Sequence, residues 1–351
     1  MAERLADHTT LRLGGPAARW VRATTETELV EAVAAADATG EPVLVRGGGS
    51  NLVVSDAGFP GVVVEVATSG VRPDVEGDDA TCGGVLVTVA AGESWDDLVT
   101  RAVGSGWTGV EALSGIPGAV GATPIQNVGA YGQEVSQTIA SVRVWDRSLN
   151  SVRTFANADC GFGYRHSRFK ADRWDPWGGR HVVLDVTFQL PQGTLGAPVR
   201  YAELAARLGV EQGARAPIGE VREAVLALRR GKGMVLDPGD HDTWSAGSFF
   251  TNPVVDPDSV PDGAPAWPQP DGTVKTSAAW LIEHAGFGKG HGLDRDQGRV
   301  ALSTKHTLAL TNRGNASADD LVALAREVRD GVDQRFGIRL VNEPVLVGLD
   351  L

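Results

Sequence analysis

The chain has 351 residues, 42% hydrophobic and 22% charged, a composition of globular enzymes rather than disordered or membrane proteins, and a length that calls for two or three domains. Its net charge of −12 argues against general nucleic-acid binding and means that an anionic ligand must be held by local cations against the overall field. Two cysteines (Cys82 and Cys160) outside any CxxC, histidines without zinc spacing, no apolar run of ~20 residues and a charged N-terminus unlike a secretion signal point to a cytoplasmic protein without a structural metal.

In chain order, residues 25–36 read as a helix, with Thr25 and Glu28 as a capping box and Leu29, Val30 and Val33 on one face. The strand PVLV, a glycine loop and the strand GVVVEV (61–66) follow, so the first ~65 residues form a small α/β unit. VLVTVAAG (85–92) is the next strand, and Ser94 opens a helix in SWDDLVTRAV. Residues 104–132 are glycine-rich with little periodicity. Strands resume at VRVW and at HVVLDVTFQL (181–190), where Val182, Leu184, Val186, Phe188 and Leu190 alternate with more polar residues as in a half-buried strand. Two helices are expected, around YAELAARL and over 218–229. The stretch 253–270, with six prolines, reads as an ordered but irregular surface connection. Ser317 and Asp320 cap a last helix whose Leu321, Leu324, Ala325, Val328 and Val332 form one stripe. The closing IRLVNEPVLVG is strand-like, and the class is α+β.

The loop RGGGSNLVVSD (46–56) places three glycines in a row at the end of an apolar strand. Such a run supplies either a turn no other residue makes or bare backbone that a ligand approaches, and bare amides form a concave anion site. Neither familiar phosphate loop fits. Leu52 stands where GxGxxG needs its third glycine, no Lys-Ser or Lys-Thr pair follows, and a strand rather than a helix comes next. A phosphate held here belongs to a different fold, and a flexible hairpin tip is the plain alternative.

Four further islands carry chemistry. SGIPGAVGATPIQNVGAYG (114–132) is built of glycine, proline and small residues, which suits a backbone laid against a flat ring system. With RGGGSN it could cradle a cofactor having both a pyrophosphate and a large planar ring. GYRHSRFK (163–170) gathers Arg165, His166, Arg168 and Lys170 around two aromatics, with a solvated basic edge as the alternative. AGSFFTNP sets Ser248 before two phenylalanines, outside any GxSxG elbow, so a hydrolase nucleophile is disfavoured and a turn cap is the ordinary alternative. Glu343, before Pro344 in NEPVLVG, could equally be an edge-strand carboxylate.

Together these islands resemble the UDP-N-acetylenolpyruvoylglucosamine reductases, also called UDP-N-acetylmuramate dehydrogenases. RGGGSNLVVSD, IPGAVGATPIQNVGAYG, YRHSRFK, GSFFTNP and NEP occur in that family's order and at about its spacing, over nearly the whole chain. The resemblance implies an α+β fold of the vanillyl-alcohol-oxidase type. Two α+β subdomains (1–67, rejoined by a C-terminal strand over 338–351, and 68–230) would hold FAD, and a smaller α+β domain (231–337) would close over the substrate. On this likeness Gly47, Gly48, Gly49, Ser50, Asn51 and Leu52 bind the FAD pyrophosphate. Ile116, Pro117, Gly118, Gly121, Ala122, Thr123 and Pro124 lie along the flavin. The cofactor is expected to be non-covalent, because RGGGSN holds no histidine or cysteine. Tyr201 in VRYAEL, Lys232 in LRRGKGMVLDP and Asn252 in FFTNP match contacts to the UDP part. Tyr201 and the full-length third domain match the subgroup with a tyrosine-bearing substrate loop. Two departures stand out: KGMVLDP is slightly longer before Asp-Pro than in some relatives, and Thr251 replaces a basic residue that others have before the asparagine.

The implied reaction takes hydride from NADPH, by way of FAD, to C3 of the enolpyruvyl group of UDP-N-acetylglucosamine enolpyruvate. The product is the peptidoglycan precursor UDP-N-acetylmuramate. Hydride at C3 drives negative charge onto C2 and the carboxylate, so a catalyst must stabilise that charge and protonate C2. Arg165 supplies an always-ionised fork suited to a carboxylate, Ser248 matches the family's proton donor, and Glu343 matches its third catalytic residue. An ionised Glu343 would repel the substrate carboxylate, so turnover requires it protonated or held by Arg165. A monomer is expected. Two rival readings are an FAD-dependent sugar-alcohol or lactone oxidase of the same fold and a nonenzymatic UDP-sugar or flavin-binding module. Many such oxidases tether FAD through a histidine or cysteine that RGGGSN lacks, and the joint presence of Arg165, Ser248 and Glu343 speaks against the module.

Overall fold

The computed structural model of the protein describes residues 3–74 and 84–351; the remaining residues, Cys82 among them, lie outside that description. The chain divides into two compact units. One comprises Ala18–Gly48 and Pro60–Arg230, the other the residues up to Ala17 with Gly49–Phe59 and Gly231–Leu351.

In the first unit the helix Glu26–Thr39 starts at the expected capping box, with the Glu28 amide on the Thr25 hydroxyl and the Glu28 carboxylate on the Thr25 amide. It runs three residues beyond the expected end and stops at Gly40, whose φ of 71° lies in the left-handed region favoured at helix C-termini. Its Leu29, Val33 and Ala36 pack on a three-stranded sheet ordered Ala17–Ala23, Phe59–Val66, Val43–Arg46. A five-stranded antiparallel sheet follows, in the order Ser151–Ala156, Ile139–Asp146, His181–Leu190, Val85–Ala90, Val71–Asp74. The helix Trp95–Gly104, capped by Ser94, buries Trp95, Leu98 and Val99 in the same core as this sheet.

The central strand His181–Leu190 departs from the half-buried reading. Residues 181–186 are all buried, because both faces of the strand are covered, Val182 and Leu184 in one core and Val183 in the other. A register shift at Leu184 also inserts one extra residue against Ile139–Asp146. One extra residue reverses which face each later side chain takes. Val182 and Leu184 therefore join the core beneath the helix Glu26–Thr39. Val186, Phe188 and Leu190 join the opposite one. Cys160 is wholly buried, and desolvation pushes its thiol up to about 12.

In the second unit the helix Ala318–Phe336 carries the expected capping box of Ser317 and Asp320, and buries Leu321, Leu324, Ala325, Val328 and Val332. The proline-rich stretch is more regular than expected. Val254–Val255 and Ala266–Pro268 flank Val274–Thr276 in a three-stranded antiparallel sheet. Pro268 is tolerated because it sits on an edge strand, where a missing N–H breaks no ladder. The chain end is less regular than expected: only Val345–Val347 is a strand, parallel to Leu52–Val54, since Pro344 cannot donate to a ladder. Among the described residues no helix is long and apolar enough to cross a membrane.

Candidate active site

The strand Val43–Arg46 delivers the glycine loop. Arg46 is buried, with Nη2 3.0 Å from the Glu65 carboxylate; desolvation holds its pKa below the ordinary arginine range in spite of that partner. A Cβ on Gly48 would stand 2.5 Å from the Gly118 Cα, and one on Gly47 would stand 3.3 Å from the Ala119 Cβ. The loop and residues 116–124 thus meet backbone to backbone, as only glycine permits. That second stretch is itself pinned. The Gly118 carbonyl accepts from the Trp95 amide at 3.0 Å, and the Val120 and Gly121 amides donate to Glu93 and Ala91 at 2.8 Å each. Thr123 and Pro124 are buried, Ile116, Pro117 and Gly118 half-buried, and Ala122 exposed.

Arg165 occupies a tight turn in the same unit. The Gly163 amide donates to His166 O at 3.0 Å and the His166 amide to Gly163 O at 3.1 Å. Arg165 itself has φ +50°, rare for a residue with a side chain. Its Nη2 donates to the Gly129 carbonyl at 3.2 Å, and Asn127 Nδ2 donates to Gly163 O at 2.9 Å. Tyr201, 49% exposed, stands just before the helix Ala202–Leu208 and packs edge-on against Tyr131 with ring centroids 5.6 Å apart. Tyr131 is not among the residues expected at the site, although it lies inside the GAYG motif.

The second unit holds the other half of the residues. Gly49, with φ +68°, places its missing Cβ 2.0 Å from His8 O, and its carbonyl accepts from the Thr10 amide at 3.2 Å. Among the described residues the Gly48 and Gly49 amides donate to no backbone carbonyl, as an anion nest requires. Phe249 and Phe250 are buried in the core of the helix Ala318–Phe336 and anchor the half-buried Ser248 before them. Among the described residues the Ser248 hydroxyl has no hydrogen-bond partner. The Glu343 amide donates to Phe249 O at 2.8 Å, the Val345 amide to Asn51 O at 2.9 Å, and Asn51 Nδ2 to Glu343 O at 3.4 Å. Ser248, Glu343 and Asn51 therefore lie on three adjacent segments. Asn252 Oδ1 accepts from the Ala278 amide at 3.0 Å, which fixes the side chain. Lys232 is half-buried just past the helix Ile218–Gly231. Arg165 and Tyr201 thus belong to one unit, and Lys232, Ser248, Asn252 and Glu343 to the other.

Residues 17–153 match the family model of an FAD binding domain, and they contain both the glycine loop and the stretch packed on it. The FAD binding domain marks the chain as a flavin-dependent oxidoreductase. Residues 237–347 match the model of UDP-N-acetylenolpyruvoylglucosamine reductase, C-terminal domain. The chain is 61% identical over 344 residues to the UDP-N-acetylenolpyruvoylglucosamine reductase of Cutibacterium acnes, covering 98% of this chain and 89% of that protein. It is 55% identical over 360 residues to that of Thermobifida fusca, covering 99% and 97%. Among solved structures, UDP-N-acetylenolpyruvylglucosamine reductase from Thermus caldophilus aligns with a TM-score of 0.64 at 27% identity, over 99% of both chains. The chain belongs to the UDP-N-acetylenolpyruvoylglucosamine reductase family.

Proposed function

We propose that Arg165, Ser248 and Glu343 are the catalytic residues of this flavoenzyme, and that Tyr201, Lys232 and Asn252 hold the UDP part of its substrate. The protein is an FAD-dependent oxidoreductase that reduces the enolpyruvyl group of UDP-N-acetylglucosamine enolpyruvate to the lactyl ether, with NADPH as reductant, in peptidoglycan precursor synthesis. The observation that supports the residue assignment best is the set of adjacent segments carrying Ser248, Glu343 and Asn51. It sets the segments of Ser248 and Glu343 beside the end of the loop proposed to bind the pyrophosphate.

Bound FAD would supply the hydride chemistry, from NADPH to C3 of the enolpyruvyl group. The amides of residues 47–51 would hold its pyrophosphate, and residues 116–124 would offer a pinned backbone to its ring system. As C3 becomes a methyl group, the electron pair of the double bond moves toward C2 and the carboxylate. The Arg165 guanidinium stabilises that charge, and the Ser248 O–H delivers the proton to C2. Lys232 neutralises part of the diphosphate, a local cation in a chain of net charge −12.

NADPH oxidation that depends on the enolpyruvyl UDP-sugar tests the reading. Oxygen-dependent oxidation of a sugar alcohol, with no response to the enolpyruvyl compound, would overturn it. Two further results are expected. FAD is held without a covalent bond, so acid precipitation leaves all flavin in the supernatant; yellow protein in the pellet contradicts this. Lys232→Ala raises KM roughly ten- to a hundredfold, the loss of one charge-assisted contact, with kcat little changed. An unaltered KM shows that another cation meets the diphosphate. We also propose a cytoplasmic monomer, since its substrates are a nucleotide sugar and NADPH. Light scattering is expected to give 36.7 kDa, and twice that mass contradicts it.

A further inference from the structure

We propose that Lys170 is a positioning residue for Arg165, holding the carbonyl of a left-handed arginine and so aiming its guanidinium; the inference rests on the role given to Arg165 above. Arg165 takes the third position of a turn closed by Gly163 and His166, at φ +50°, a place that glycine ordinarily fills. A side chain there persists only when its surroundings over-determine it. Lys170 Nζ donates to Arg165 O at 3.0 Å and to Gln126 Oε1 at 3.0 Å. It therefore ties the arginine turn to the segment that follows residues 116–124.

The base of this lysine is fixed as well. Ser167, wholly buried, accepts from the Lys170 amide at 3.2 Å and donates its hydroxyl to Ile125 O at 2.7 Å. Phe169, between them, is 2% exposed. A lysine on a solvated basic edge would extend into water, whereas this half-buried one bridges the Arg165 carbonyl and the Gln126 side chain. With Asn127 on Gly163 O and Gly129 O on the guanidinium, Lys170 supplies the clamp at the residue whose φ is strained.

The test uses the FAD-loaded enzyme in single-turnover half-reactions. Lys170→Met keeps the stem and removes the donors. It is expected to slow reduction of the enolpyruvyl group ~10- to 100-fold, the range for a hydrogen bond from a charged group. Flavin content and reduction by NADPH should stay native. Lys170→Arg, which keeps charge and donors, is expected to recover part of the loss, and Lys170→Gln replaces the methionine variant if that one folds poorly. In the Arg165→Met background, Lys170→Met should add less than twofold, because a residue acting through another has no separate effect. Full additivity overturns the proposal, as does equal slowing of both half-reactions. Arg165→Met with a native second half-reaction would instead sink the assignment of Arg165, and this proposal with it.

Discussion

Ser248→Ala leaves the reduction of the enzyme by NADPH nearly intact and slows its reoxidation by the enolpyruvyl sugar by roughly 10²–10⁴, the span of general acid catalysis. The asymmetry follows from the chemistry, since only the second half-reaction must place a proton on carbon. It is helped by the structure. Phe249 and Phe250 remain buried in the variant, and no hydrogen bond within the described residues depends on the lost hydroxyl, so the segment keeps its place beside Glu343. A water entering the vacated space would move the loss toward the lower end of the range. Ser248→Cys is expected to recover part of the rate, because a thiol also donates. Stopped-flow absorbance of the flavin measures each half-reaction alone. Equal slowing of both would reveal a misplaced cofactor, and no slowing of the second would remove Ser248 from the mechanism.

Gly49→Ala has the largest expected effect on stability. Two glycines share nearly the same φ, Gly40 at +71° and Gly49 at +68°, but a Cβ on Gly40 meets nothing within 4 Å whereas one on Gly49 stands 2.0 Å from His8 O. Left-handed strain alone costs about 1–2 kcal/mol, which is the loss expected for Gly40→Ala. At Gly49 the chain must also move away from His8, pulling against the bond from the Thr10 amide to Gly49 O. A total of about 3 kcal/mol or more is expected, or roughly 6 °C or more in the unfolding midpoint. Bound FAD should fall with it, because the same loop is the one proposed to hold the FAD pyrophosphate. Thermal unfolding and the flavin-to-protein absorbance ratio check both parts. Equal midpoints for the two variants would show that the loop yields at His8 without cost.

What could be read from the residues alone was local. The capping boxes at Thr25 and Ser317 and the stripe on Ala318–Phe336 need only side chains three or four positions apart. The glycine loop announced itself because bare backbone in a row has few uses. The reversal of faces at Leu184 depends on how His181–Leu190 meets Ile139–Asp146, a pairing that no periodicity within one strand records. The same holds for the chain end. Glu343 stands beside Ser248 only because the bridge Phe250↔Asn342 joins residues far apart in sequence. Lys170 sits in a motif that drew notice for its charge, yet its use lies in reaching the Arg165 carbonyl, which is set by the strained turn.

Anaerobic titration of the flavin tests the central claim most directly. One equivalent of NADPH should bleach the bound FAD. One equivalent of UDP-N-acetylglucosamine enolpyruvate, added without oxygen, should then restore the oxidised spectrum and yield one equivalent of UDP-N-acetylmuramate. Flavin that stays reduced until air is admitted, with the enolpyruvyl sugar recovered unchanged, would contradict the account.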